Sequence, residues 1–134
     1  MTACAIDFDD EPTAVIRTLG ALVREPALVI DERAPLAEAR RLLAESRVPA
    51  LVVVDASDAV RGLITRSDLL AARDDGRVLD AMSGCVFALR ASAEVHAAAA
   101  LIAYEGVGQV VVIDAAGQLV GMVSAIDLVR YYAG

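Results

Sequence analysis

The sequence has few of the residues on which enzymes and metal sites depend. Its 134 residues include no tryptophan, two cysteines and one histidine. Cys4 and Cys85 are too few for a disulfide framework or a thiolate metal site, so we expect two free thiols. His96 lies in no Ser/His/Asp or Cys/His constellation, and we predict that it is a surface residue. Because converging titratable groups are missing, we expect neither catalysis nor a bound metal.

Positive charge and long apolar runs are also scarce. The chain carries 12 basic and 19 acidic side chains, which gives a net charge of −7, and it has no basic run. Nucleic acids and anionic membrane surfaces require such a run, so both are excluded as partners. The apolar runs have the length of strands, well short of the roughly 20 residues that span a bilayer. The first 11 residues carry acid where a signal peptide carries positive charge. These features predict a cytoplasmic location.

Apolar residues, by contrast, are abundant. They make up 57% of the chain, although aromatic residues make up only 4%. One explanation is an alanine-rich composition. The other is that part of the apolar surface is buried against another subunit. Tyr131 and Tyr132, near the C-terminus, are candidates for packing or dimer contacts.

The sequence contains an internal repeat with an offset of 59 residues. Residues 48–70 (VPALVVVDASDAVRGLITRSDLL) and 107–129 (VGQVVVIDAAGQLVGMVSAIDLV) align without a gap, and eight of 23 positions are identical. Such a period indicates two copies of one supersecondary unit. Each half, at about 60 residues, is marginal alone, so we expect the halves to share a core. A ligand site built by one copy should have a twin.

Apolar periodicity and turn residues predict the same order of elements in both halves, β-α-β-β-α, and hence an α/β fold. A further helix is predicted from Pro12 to about residue 23, and a polar tail before it. The predicted strands are residues 27–30, 51–54, 60–64, 86–89, 110–113 and 120–123. The predicted helices are residues 36–46, 67–73, 78–82 and 94–104, together with a last helix that begins at Ser124.

One motif occurs twice, as a glycine, two apolar residues, a hydroxyl, two further residues and an aspartate. It covers residues 62–68 and 121–127. The hydroxyl falls where a strand becomes a helix. The motif is therefore typical of a capping box, which satisfies backbone N–H groups at the start of a helix. The same hydroxyl and carboxylate could instead hold a vicinal diol such as a ribose, and the glycine would allow a close approach or a strand bulge.

The doubled motif, the lead-in at residues 78–83 (VLDAMS) and the order of elements resemble a tandem pair of CBS domains, or Bateman module, over residues 18–133. The resemblance implies two repeats packed through their sheets with pseudo-twofold symmetry. Residues 1–17 would be a tail and the start of a lead-in helix, residues 18–75 the first repeat and residues 76–134 the second. It also implies clefts for AMP, ADP, ATP or S-adenosylmethionine, and a homodimer of two modules.

The resemblance also implies which residues bind. Thr65 with Asp68, and Ser124 with Asp127, would hold the ribose. The base or phosphate would contact Val29 and Ile30 in one half, Ala88 and Leu89 in the other, and the side chains of Arg66 and Gln109. The positions before each central strand, residues 49–50 and 108–109, lack the basic residues found in many nucleotide-binding members. Since Arg47, Arg61 and Arg66 have no basic counterpart in the second half, the first half is predicted to be the better phosphate site.

Two functions follow from these features. The first is a regulatory sensor of an adenosine-containing ligand, which needs no other cofactor. The second is a ligand-free dimerisation or scaffold module that regulates a partner protein, in which the Thr/Ser-x-x-Asp pairs are helix caps alone.

Overall fold

The computed structural model describes residues 18–23, 26–73 and 75–134. The predicted tail and the start of the helix predicted from Pro12 lie outside these residues, as does Cys4. We use repeat 1 for residues 18–75 and repeat 2 for residues 76–134, following the predicted division. Repeat 1 contains α1 (Leu19–Leu22), β1 (Val29–Asp31), α2 (Leu36–Glu45), β2 (Ala50–Val54), β3 (Val60–Thr65) and α3 (Arg66–Ala71). Repeat 2 contains α4 (Val78–Ala81), β4 (Ala88–Arg90), α5 (Val95–Glu105), β5 (Gln109–Ile113), β6 (Leu119–Ser124) and α6 (Ala125–Ala133).

Each repeat forms its own three-stranded sheet, in the order β1-β2-β3 or β4-β5-β6. The first strand of each sheet is parallel to the middle strand and the third is antiparallel to it. The α/β class and the β-α-β-β-α order are therefore confirmed. The first strands begin two residues later than predicted, at Val29 and Ala88, because the ladder with the middle strand begins at those residues.

The two sheets pack against each other through a core to which both repeats contribute. Successive apolar side chains on the middle strands point to opposite faces of the sheet. Each sheet therefore has one face toward the other repeat and one toward the helices. We call the former the inter-repeat face. The central core contains buried Val52, Val54, Leu63 and Val111, with partly buried residues of both repeats around them. Packing of the repeats through their sheets is thereby confirmed.

The lead-in helices are exchanged between the repeats. Helix α1 is the first element of repeat 1, but Leu19 is completely buried in the helix-side core of repeat 2, and its N–H donates to the Ala93 carbonyl at 2.9 Å. Helix α4 does the reverse: Val78 is completely buried in the helix-side core of repeat 1, and its N–H donates to the Ala34 carbonyl at 2.9 Å. Each repeat therefore completes its core with a helix from outside its own sheet.

The second and third strands of each sheet are joined by an aspartate-centred turn. Asp55 Oδ1 accepts hydrogen bonds from the backbone N–H of Ser57 and Ala59 and from the Ser57 hydroxyl, and these bonds, those of Ser57 first, hold the pKa of Asp55 below its ordinary value. Asp114 Oδ1 accepts two matching backbone bonds in repeat 2. The aspartates explain why both hairpins turn at the same place.

Candidate functional site

The two predicted ribose pairs form capping boxes with nearly the same geometry. Asp68 Oδ2 accepts from the Thr65 N–H at 2.9 Å and from the Thr65 hydroxyl at 3.1 Å, and the Asp68 N–H donates back to Thr65 Oγ1 at 3.3 Å. In repeat 2, Asp127 Oδ2 accepts from the Ser124 N–H at 2.8 Å and from its hydroxyl at 3.0 Å, and the return bond is 3.3 Å. The capping interpretation of the motif is thus confirmed for both copies.

The capping boxes use one oxygen of each carboxylate. Within the described part of the chain, no donor reaches Oδ1 of Asp68 or of Asp127. An ionised carboxylate offers about four acceptor sites, so each aspartate retains acceptors for further hydroxyl groups. Capping and diol binding are therefore compatible functions of the same side chain.

Both hydroxyl residues lie on the inter-repeat face of their sheets. Thr65 follows Leu63 by two positions, and Ser124 follows Met122 by two positions, and those neighbours belong to or pack against the central core. Since side chains on a strand alternate between faces, Thr65 and Ser124 point toward the other repeat. Gln109, which pairs with Ser124 in the ladder, lies on the same face. Thr65, Ser124 and Gln109 therefore lie on the sheet faces where the repeats meet.

The four predicted base-binding residues divide into two kinds. Val29 is 48% exposed, and its twin Ala88 is also exposed. Ile30 is buried in the helix-side core of repeat 1, and Leu89 packs against that of repeat 2. The prediction that all four side chains frame a base therefore needs correction, because alternation along the strand turns Ile30 and Leu89 to the helices.

Val29 and Ala88 also have the accessible backbone. The Leu28 carbonyl accepts from the Val52 N–H, and the Glu32 N–H donates to the Val54 carbonyl. Backbone groups alternate in direction, so those of Val29 point to the open edge of the sheet. The ladder puts its Cα roughly 12 Å from that of Thr65, two strands away.

Arg66, predicted near a phosphate, holds the end of helix α2. Its guanidinium donates to the carbonyls of Val48 at 3.0 Å, Ser46 at 3.4 Å and Leu43. A cation at a helix C-terminus is favourable because the last carbonyls lack partners within the helix. Arg61, a second arginine of this region, pairs with Glu32 at 3.4 Å, and Arg47, a third, is exposed. A phosphate in repeat 1 would have to compete with these partners.

The segment that follows each lead-in helix passes close to the motif glycine of the other repeat. A Cβ on Gly62 would collide with the Ser83 carbonyl oxygen, and one on Gly121 would lie 2.5 Å from Val23 Cγ1. Leu63 and Ser83 also exchange backbone hydrogen bonds of 2.9 and 3.0 Å. The missing side chain at each glycine therefore makes room for a segment of the same protein. Each glycine also lies beside an irregularity in the strand pairing of its hairpin.

Sequence reasoning missed this crossing, although a signal existed. Val23 and Met82 occupy matching positions 59 residues apart, and each is the neighbour that a Cβ on the opposite repeat's glycine would meet. Each repeat has a glycine in the middle of its third strand and an apolar residue just after its lead-in helix, and both recur after 59 residues. A glycine within a strand indicates that another backbone segment approaches closely, and the segment after the lead-in helix was the candidate.

The remaining candidates are exposed or partly packed. His96 is exposed, as predicted, and Cys85 is an exposed free thiol. Tyr131 packs against the helix-side core of repeat 2, and its ring meets that of Tyr132 edge to face at 5.0 Å. Among residues 18–23, 26–73 and 75–134, no cluster of three or more His, Cys, Asp or Glu could hold a metal. No helix in the same ranges is long and apolar enough to cross a membrane.

Comparisons with known proteins agree with this architecture. Residues 19–75 and 78–134 each match the family model described as CBS domain. None of the curated proteins matches the chain. The CBS domain pair of protein MJ0100, solved in complex with 5′-methylthioadenosine and S-adenosyl-L-methionine, is 22% identical with a TM-score of 0.80, over 89% of this chain and 98% of that one.

Two further solved structures carry adenosine nucleotides. CBSX2 in complex with AMP is 25% identical with a TM-score of 0.76, over 87% of this chain and 96% of that one. The cytosolic domain of the Mg2+ channel MgtE in complex with ATP is 24% identical with a TM-score of 0.76, over 86% of this chain. This chain covers 48% of that domain, or about half its length.

Proposed function

Because this chain belongs to the CBS-domain family, whose model matches both repeats, we propose that it is a regulatory module that binds an adenosine-containing ligand between its repeats. The observation that carries the proposal is the pair of capping aspartates. Asp68 and Asp127 each leave Oδ1 open beside a hydroxyl residue on the inter-repeat face. Hydrogen bonds from ribose hydroxyls to a carboxylate are charge-assisted and therefore strong.

The solved CBS pairs support adenosine as the common element of the ligand. The three structures compared above hold ATP, AMP, and methylthioadenosine with S-adenosylmethionine, ligands that share a ribose and an adenine but differ at the 5′ position. In this chain Val29 and Ala88 offer an exposed apolar side chain and an open strand edge to a base. Backbone groups and apolar surface together suit adenine recognition.

The charges favour a particular 5′ group. Arg66 donates to three carbonyls and Arg61 pairs with Glu32, while the whole chain has a net charge of −7. A polyphosphate gains little attraction in such a field. We therefore expect S-adenosylmethionine or methylthioadenosine to bind more tightly than ATP. This expectation replaces the sequence-based prediction that repeat 1 is the better phosphate site.

Regulation requires only that the ligand bind one arrangement of the repeats better than another. The ligand would touch side chains of a sheet whose inter-repeat face packs on the other repeat, so binding would bias how the repeats sit. No acid–base or nucleophilic chemistry is needed. In this proposal the module acts in the cytoplasm as a homodimer, on a partner protein whose output it changes.

Isothermal titration calorimetry with AMP, ADP, ATP and S-adenosylmethionine tests the proposal. We expect at least one ligand to bind the wild type, and Asp68→Ala or Asp127→Ala to weaken it about tenfold or more, since a hydrogen bond to a charged group contributes about 1.5–3 kcal/mol. The proposal fails if no ligand binds, or if both variants bind as tightly as the wild type.

Asp80→Ala is the matched control. Asp80 Oδ2 accepts from the Arg77 N–H at 3.0 Å at the start of α4, in the same capping position but outside the predicted ribose pairs. All three variants should lose about 1 kcal/mol of unfolding free energy from the lost cap. Only Asp68→Ala and Asp127→Ala should lose ligand affinity.

A ligand-free dimerisation module remains the second candidate. It is favoured by one observation: capping alone already accounts for both residues of each pair. In that case sedimentation should show a dimer that nucleotides leave unchanged. Asp68→Ala should then lower stability by about 1 kcal/mol and change nothing else.

A further inference from the structure

In repeat 1, two arginines connect helices α2 and α3 in both directions. Arg40 on α2 donates to the Leu69 carbonyl near the end of α3 at 3.1 Å. Arg66, the first residue of α3, donates to the Leu43 carbonyl in the last turn of α2 and to the Ser46 carbonyl that follows it. Each arginine thus satisfies carbonyls at the C-terminal end of the opposite helix. We call these bonds of Arg40 and Arg66 the arginine clamp.

Repeat 2 has alanines at the two positions that form the clamp. Ala99 and Ala125 match Arg40 and Arg66 at the 59-residue offset, and a methyl group has no hydrogen to donate. Both alanines line an apolar groove of about 490 Å³ between α5 and α6. Apolar contacts are non-directional, so they restrict sliding of one helix on another less than hydrogen bonds between defined atoms do.

The proposed ribose carboxylates belong to the helices that the clamp holds or leaves unclamped. Asp68 is the third residue of α3, and Asp127 is the third residue of α6. Oδ2 of each aspartate accepts from the backbone N–H of the residue before its helix, at 2.9 and 2.8 Å. The carboxylate is therefore fixed to the start of its helix, and a hydroxyl that binds the carboxylate acts on the helix as a whole.

We propose that Arg40 and Arg66 are positioning residues for Asp68, and that α6, which has no such clamp, is the helix that moves when a ligand binds. The inference rests on the proposed function and specifies how its two sites differ. In repeat 1 the clamp holds the carboxylate in place before the ligand arrives, which lowers the ordering cost of binding. In repeat 2 the ligand itself orders α6 on α5, by a small shear of packed helices. Repeat 1 supplies affinity, and repeat 2 supplies the conformational response.

Amide hydrogen exchange without ligand tests the clamp alone. Arg40→Ala with Arg66→Ala removes its donors, so we expect the amides of α3 to exchange about tenfold faster, as the loss of hydrogen bonds to a charged group implies. Exchange in β2 should not change, which separates a local effect from a general loss of stability. Arg41→Ala is the matched control, because Arg41 pairs at 3.2 Å with Glu45 of its own helix. It should leave exchange in α3 as it is in the wild type.

The reciprocal variant installs the clamp in repeat 2. Ala99→Arg with Ala125→Arg places donors opposite the ends of α5 and α6, and we expect exchange in α6 to slow by about fivefold or more. Exchange in α3 should not change, because repeat 1 keeps its own arginines.

Addition of S-adenosylmethionine, with AMP as a second probe, tests the division of roles. In the wild type, ligand should slow exchange in α6 about fivefold more than in α3. In Arg40→Ala/Arg66→Ala, ligand should protect α3 as well, because the ligand now orders it. In an Asp127→Ala background, the same two substitutions should weaken binding at the remaining site about fivefold. Arginines that only stabilise the fold would change neither the ligand-induced protection nor this affinity.

Three results would overturn the inference: unchanged exchange of α3 when the arginines are removed, equal protection of α3 and α6 by ligand in the wild type, or an unaltered response of α6 once it carries the clamp. Binding with equal protection of both helices overturns the inference and leaves the proposed function intact. A wild type that binds neither probe also overturns it, and calorimetry with all four adenosine compounds then decides the proposed function separately.

Discussion

The two repeats have the same order of elements, but the equivalent helices α2 and α5 are capped differently at their C-termini. Helix α2 ends at Ser46 in an extended conformation, and Arg66 supplies the donors for its last carbonyls. Helix α5 ends at Gly106 in the left-handed conformation, with φ of 70°. A backbone cap in repeat 2 makes the arginine unnecessary. The alanine that replaces it, Ala125, lines an apolar groove between α5 and α6, so the repeats differ in surface where they differ in capping.

The contrast also bears on the ligand sites. The capping boxes are alike to within 0.1 Å in each of their three hydrogen bonds. The surroundings differ, because Ala50 pairs with Thr65 in repeat 1 whereas Gln109 pairs with Ser124 in repeat 2. Repeat 2 therefore adds an amide near its hydroxyl. The two proposed sites should therefore differ in what they accept beyond the ribose, and the proposal expects both to hold the ribose in the same way.

The largest effect is expected where the lead-ins cross. Gly62→Ala sets a methyl group against the Ser83 backbone, which cannot rotate away, and should cost about 3 kcal/mol. Gly121→Ala meets the Val23 side chain at 2.5 Å, which can shift, and should cost about 1 kcal/mol. Chemical denaturation measures both. Equal costs would contradict the different packing of the two crossings.

Removing the two helix caps should have a smaller and similar effect. Arg66→Ala removes the donors at the end of α2 and should cost about 1 kcal/mol. Gly106→Ala forces a side chain into the left-handed region and should also cost about 1 kcal/mol. Thermal unfolding of both variants, with Ala125→Arg as a control for repeat 2, checks the comparison. If Arg66→Ala is neutral, the guanidinium does not cap α2.

The smallest effect, of opposite sign, is expected at the hairpin turns. Asp58 has φ of 65°, where its twin Gly117 has φ of 84°. Asp58→Gly should stabilise the protein by up to about 1 kcal/mol because glycine tolerates this conformation. Gly117→Asp should destabilise it by a similar amount. Denaturation midpoints with unchanged slopes would report these changes, and a loss of stability in Asp58→Gly would contradict the assigned turn strain.

Much of this architecture was predictable from the repeat. The strand order, the aspartate turns and the capping of α3 by Thr65 follow from local patterns that recur after 59 residues. The exchange of α1 and α4 did not follow, because the apolar face of a four-residue helix does not specify which sheet it covers. The position of Arg66 also escaped prediction, since an arginine at a helix start reaches the neighbouring helix end only after both have packed.

The faces of the first strands show the same limit. Val29 and Ile30 look alike as apolar strand residues, and a predicted strand of four residues does not reveal which one faces the helices. Their alternation became clear only once the pairing of Val29 with Val52 was established. Residue types thus predicted a site, but the strand register was needed to show which side chains lie on the inter-repeat face.

The central claim is that Asp68 and Asp127 bind ribose hydroxyls. Its most direct test uses calorimetry to compare the binding of adenosine with that of 2′,3′-dideoxyadenosine, on the wild type and on the double variant Asp68→Ala/Asp127→Ala. We predict that removing the two hydroxyls weakens binding to the wild type about tenfold or more, and that the same removal has little effect on binding to the double variant, because the carboxylates that the hydroxyls contact are gone. If both proteins lose the same affinity, or if the wild type binds the two nucleosides equally, the aspartates cap their helices without holding a ribose.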